Sequence, residues 1–165
     1  MWRIMGLAGE ACRKPAVMYL SYMKRTNYLL WAAQILLALV FVMTGFMKLT
    51  IPAADLMRAM PAGVGLSVPL IRFIGFAEVA GAIGLILPSA TRILPVLAPI
   101  AAGALALVMA LAALLHAWRG EIASLAVVLA LGAIAVFVTW GRTTRAPIPA
   151  RRRSAPNGVR ITRTL

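Results

Sequence analysis

The stretch Arg72-Phe-Ile-Gly-Phe-Ala-Glu-Val-Ala-Gly-Ala-Ile-Gly-Leu-Ile-Leu-Pro88 decides how this chain is read. It is apolar over most of its length, yet Glu78 stands near its centre, with Gly75 three residues before, Gly81 three after and Ala82 four after. On a helix these positions share one face. A charge at bilayer depth costs roughly 2.5 to 3.5 kcal/mol even on lenient insertion scales, so the carboxylate has to face protein rather than lipid. Small neighbours let a second helix approach closely. The acid must then be satisfied by that helix, by enclosed water or by a bound proton.

The rest of the composition agrees. Of 165 residues, 62% are hydrophobic and only 13% charged, with a mean hydropathy of +0.92. A soluble domain would carry about a quarter of its residues as charge. The net charge of +13 raises nucleic acid as a partner, but such binders array basic residues on a folded surface or a recognition helix. Here Lys and Arg flank hydrophobic runs, as the charges that orient membrane spans do, so no nucleic acid is expected. Cys12 is the single cysteine and His116 the single histidine. An intramolecular disulfide, a Cys-x-x-Cys redox pair, a bis-histidine haem and a multi-histidine zinc site are therefore excluded within the chain, and no metal site is expected.

Four apolar runs, at 28–47, 67–87, 93–115 and 122–140, predict an all-α, integral membrane bundle of four transmembrane helices. Residues 1–27 read as a basic, disordered extension and 142–165 as a basic, disordered tail. In the first span, taking 100° per residue from Gln34, Gly45 falls at about +20°, Lys48 at about −40° and Thr44 at about −80°. These polar residues form one arc, although Lys48 at the end of the span has the alternative of snorkelling to the interface. Pro52, Asp55 and Pro61 bracket a short segment, 52–61, that reads as an interfacial helix or a plain connector. Pro88 is expected to stop the second span, within which Arg72 is near enough to the end to snorkel outward. Pro95 and Pro99 fall in the first two turns of the third. There Ala98, Ala102, Ala106, Ala110 and Ala113 recur as a small-residue seam. Trp31, Trp118 and Trp140 lie near span ends.

Thirteen of the seventeen Lys and Arg residues lie in the N-terminal segment, the turn at Arg92 and the C-terminal tail. The charge asymmetry therefore predicts a multi-pass protein of the cytoplasmic membrane with both termini cytoplasmic. Arg151-Arg152-Arg153 in the tail suits an anionic inner leaflet. Lys48, Arg72, His116, Arg119 and Glu121 are then expected toward the outer face, with Glu78 below them.

The first span ending Thr44-Gly-Phe-Met-Lys-Leu49, the second running Ile74-Gly-Phe-Ala-Glu-Val-Ala-Gly-Ala-Ile-Gly-Leu-Ile-Leu-Pro88, and a third closing in His116 resemble the DoxX-like family of small four-helix membrane proteins. The resemblance covers about Lys24 to Arg142 and leaves both ends outside it. The family is named for a subunit of a thiosulfate:quinone oxidoreductase and includes members tied to membrane-associated redox complexes. By resemblance Lys48 matches the lysine closing the first span, Glu78 the glutamate of the second and His116 the histidine after the third. The cysteine pairs of distantly similar thiol oxidoreductases are missing.

Two functions follow from the residues and the resemblance together. One is an accessory or scaffold subunit, non-catalytic, in which Glu78 and Lys48 fix helix register. The other is a redox-linked subunit that binds a quinone or similar lipophilic molecule in the bundle and receives electrons from a redox partner protein. There Glu78 is the catalytic candidate, as proton acceptor or hydrogen-bonding group. The ligand-binding candidates are Gln34, Thr44, Lys48, Arg72, Glu78 and His116.

Overall fold

The computed structural model describes the backbone of residues 2–59 and 65–151, and the side chains of residues 25–56, 58 and 65–151. Its elements are helices α1 (Trp2–Thr50), α2 (Ala53–Ala59), α3 (Val68–Thr91), α4 (Leu97–Trp118) and α5 (Ile122–Trp140), followed by a π-helical turn at Gly141–Arg145. Among the described residues, four stretches are long and apolar enough to cross a membrane: Arg25–Thr50, Val68–Thr91, Leu97–Trp118 and Ile122–Arg145. The expected four spans are therefore present, each with shifted ends.

The shifts have local causes. α1 runs N-terminally through Pro15 to Trp2, past the expected start at Tyr28. Pro88 lies inside α3, which runs on to Thr91 and ends at Arg92 in the left-handed region, φ 58°. The helix survives because Pro88 is buried in the last turns, where tertiary contacts hold the backbone. The third span begins later than expected, at Leu97. Pro95 belongs to the preceding turn, and only Pro99 sits in the first turn of the helix, where a missing N–H costs little. Pro52 accepts a backbone bond from Leu56 at 2.9 Å and opens α2, whose Leu56 is fully buried. The expected 60–61 end of that segment falls outside the described residues.

Around the bundle α1 packs against α3 and α5, and α4 against α3 and α5. Leu37, Phe41, Leu85, Leu105 and Val138 fill the centre, with Ala82, Ala102 and Ala135 where backbones come near. The outward faces carry Leu39, Phe46, Phe73, Phe76, Leu107 and Leu114, all more than 60% exposed. A water-soluble domain could not present such a surface; hydrocarbon accommodates it. The alanine seam on α4 is only partly realised, since Ala98, Ala102 and Ala113 are buried but Ala110 is exposed. Steps of four drift by about 40° each, and the buried line corrects the drift through Leu105 and Met109.

The chain beyond α5 is not all tail. Gly141 and Arg142 are buried in the π-helical turn, and the Arg151 N–H donates to the Arg92 carbonyl at 3.0 Å. The tail assignment for 142–151 is therefore corrected: Arg142 closes one end of the bundle. Residues 152–165 lie outside the described part.

Candidate functional site

Glu78 is 3% exposed and Lys48 8%, and they face each other across α1 and α3. The Lys48 ammonium donates to both carboxylate oxygens, at 2.7 Å to Oε1 and 2.6 Å to Oε2. The Thr44 hydroxyl donates to Oε2 at 3.2 Å. Lys48 thus turns inward rather than snorkelling, and the arc read on the first span supplies two donors to the acid.

Glycine makes the pairing possible. A Cβ on Gly45 would stand 2.7 Å from the Gly75 carbonyl oxygen and 3.1 Å from the Glu78 Cβ; one on Gly75 would stand 2.8 Å from the Lys48 Cβ. The two backbones are in contact at this level, which brings the short reach from Thr44 and Lys48 to Glu78 within hydrogen-bond distance. Gly81 serves a different neighbour, because a Cβ there would meet Leu105 of α4 at 2.7 Å. The small face around Glu78 is therefore divided between two partner helices.

Arg72 stands beside the pair without touching the acid. Its guanidinium donates to the Lys48 carbonyl and, at 2.6 Å, to the Ile51 carbonyl. These are carbonyls at the C-terminal end of α1, which have no acceptor role left within the helix. Arg72 therefore caps α1 instead of reaching outward to water, and a cation at this end also suits the helix dipole.

The remaining candidates lie elsewhere. His116 Nδ1 is 2.8 Å from Glu121 Oε2, and Arg119 Nε donates to Glu121 Oε1 at 3.0 Å, tying the α4–α5 turn together. The His116 bond, followed by the Arg119 guanidinium, holds the Glu121 carboxyl below its ordinary value against an opposing effect of burial. Gln34 belongs to a third group at the other end of the bundle. Its amide donates to the Leu85 carbonyl at 2.7 Å and the Ser89 hydroxyl at 3.1 Å, and its oxygen accepts from Arg142 Nε at 2.8 Å. Gln34 and Lys48 share a helix face but are separated by about 21 Å of rise.

Six candidates thus resolve into one centre of Thr44, Lys48 and Glu78 with Arg72 adjacent, and two separate clusters. Sequence reasoning missed Arg142, Asn27 and Ser89. A signal was present: a glutamine within a span requires partners, and Arg142 directly follows the last apolar run.

A four-span helical membrane bundle, closed around a lysine–glutamate pair between its first two spans, is the class that fold and site define. The family model for the DoxX-like family matches residues 32–138, and the chain belongs to that family. Comparison with curated proteins and with solved structures found no match.

Proposed function

We propose that this DoxX-like protein is a non-catalytic accessory or scaffold component of a membrane-associated complex, inserted in the cytoplasmic membrane with both termini cytoplasmic. The observation that supports this reading is the commitment of Glu78. Its carboxylate has about four acceptor positions, and Lys48 and Thr44 occupy three of them. A proton acceptor must instead present an oxygen to the group it deprotonates. The same contacts suit a register lock, because a paired buried charge disfavours any sliding of α1 along α3.

The test compares affinity-purified full-length wild type with Lys48→Met/Glu78→Leu and Glu78→Gln, from native membranes in mild detergent. The scaffold reading expects the same partner proteins with wild type and the double variant, and no stoichiometric quinone in the lipid extract. Quinone retained by wild type and lost in Glu78→Gln would support the quinone-linked alternative and overturn the scaffold; so would wild type that purifies without partner proteins.

A further inference from the structure

We infer that the Arg142 end of the bundle is a binding site for the phosphate of an anionic phospholipid. The inference is independent of the scaffold reading and of which leaflet this end faces.

Arg142 is 3% exposed, and every partner it has is neutral. Its Nε donates to Gln34, its Nη1 donates to Asn27 Oδ1 at 2.7 Å and to the Ala146 carbonyl at 3.3 Å, and its guanidinium lies 5.4 Å from the Trp31 ring centroid. Nη2 has no partner, and it is the buried side-chain polar atom left unsatisfied among the described residues. A buried guanidinium therefore has both an unmatched charge and an unmatched donor.

Among the described residues no acid supplies the match. Of its four Asp and Glu residues, Asp55 pairs with Arg58, Glu78 with Lys48, and Glu121 with His116 and Arg119, all toward the opposite end. Glu10 precedes Asn27 by 17 residues on α1, about 25 Å of helical rise. Around Arg142 the same end carries Arg25, Arg92, Arg145 and Arg151, and no Asp or Glu among the described residues. Arg145 lies over the Trp140 ring at 5.0 Å from its centroid, giving two arginine–tryptophan pairs at this end. Tryptophan with arginine is the composition of a headgroup-level belt. Nη2 is enclosed in this structure, so it meets a ligand when the Arg142 side chain swings toward the exposed rim at Thr143–Arg145; the counter-charge that a bilayer offers at that rim is a lipid phosphate, whose oxygens match a guanidinium donor.

The π-helical turn makes this end. Gly141 comes so close to Leu30 of α1 that a Cβ would collide with its side chain. The wider turn carries Arg142 inward, while Thr143, Thr144 and Arg145 stay exposed at the rim.

The full-length protein is reconstituted in nanodiscs of phosphatidylcholine with phosphatidylglycerol, and retained lipid is counted by native mass spectrometry after release into detergent. Wild type is expected to retain phosphatidylglycerol about tenfold or more over phosphatidylcholine, as befits a charge-assisted hydrogen bond. Arg142→Gln is expected to lose that preference, and Arg58→Gln, at the other end, to keep it. Arg142→Lys, which keeps the charge but not the fork, is expected to reduce the preference and serves if Arg142→Gln does not fold. Equal retention of both lipids by wild type overturns the inference, as does a preference unchanged in the Arg142 variants. Inorganic phosphate added in phosphatidylcholine discs is expected to leave thermal stability unchanged; stabilisation matching that by phosphatidylglycerol overturns the lipid assignment in favour of free phosphate.

Discussion

At the level of single residues, Glu78 illustrates how strongly a low-dielectric setting restricts what a side chain can be. Its two bonds from Lys48 and one from Thr44 offset the cost of leaving water only while all partners are present. Glu78→Ala is expected to strand the Lys48 ammonium and cost about 3 to 5 kcal/mol, read as a fall in thermal midpoint in detergent. Replacing both partners, as Lys48→Met/Glu78→Leu, is expected to recover most of that loss; a double variant no more stable than Glu78→Ala would show that the loss does not come from a stranded charge. Gly75→Ala probes the same place sterically, since its Cβ would press on the Lys48 Cβ and, at 2.9 Å, on the Gly45 carbonyl oxygen. A loss of about 1 to 3 kcal/mol is expected in the same melting assay. Gly132→Ala, whose Cβ would meet Met109 at 3.3 Å, is expected to be milder.

At the level of elements, the ends of the helices are held by side chains from their neighbours. Arg72 of α3 takes the carbonyls of Lys48 and Ile51, so the C-terminus of α1 depends on a residue 21 or more positions away. Arg72→Met is expected to cost about 1 to 3 kcal/mol and to speed hydrogen exchange of the last α1 amides and of Ile51 just beyond them, which bonds to the Met47 carbonyl. Exchange unchanged there would remove the capping role. The α4–α5 turn depends instead on Glu121. Because its folded carboxyl lies below the ordinary value of 4.5, its contribution is fully present above that value and is lost as pH falls through the lowered one. Melting midpoints measured downward from pH 4.5 are expected to fall less in Glu121→Gln than in wild type. An equal fall in both proteins would contradict the assignment.

For the whole molecule, the even number of spans places residues 25 and 145 at one end, together with Arg92, while α2 and the α4–α5 turn occupy the other. The excess of Lys and Arg at the first end predicts that it faces the cytoplasm. In a background with Cys12 replaced, single cysteines at positions 53 to 58 are expected to react with membrane-impermeant reagents from outside the cell, and a cysteine at 150 only after permeabilisation. Labelling of the 53–58 positions only from the cytoplasmic side would reverse the orientation.

The four spans were legible because continuous apolar length is a property of the sequence alone, and hydrocarbon allows a backbone few other ways to cross it. The inward face of Glu78 was legible for the same reason, as a charge has no tolerable place toward lipid. The helix ends at Thr91 and Leu97 were not: burial carries α3 on through Pro88, whereas Pro95 is taken up by the turn before α4. Nor was the split of the polar residues into three clusters. Periodicity along one helix gives direction but not which neighbour arrives at which depth, and only the packing of α1 on α3 set Lys48 on Glu78. The inward turn of Arg142 was decided by tertiary structure as well: a widened helical turn against Leu30 makes an apparent tail residue part of the interior.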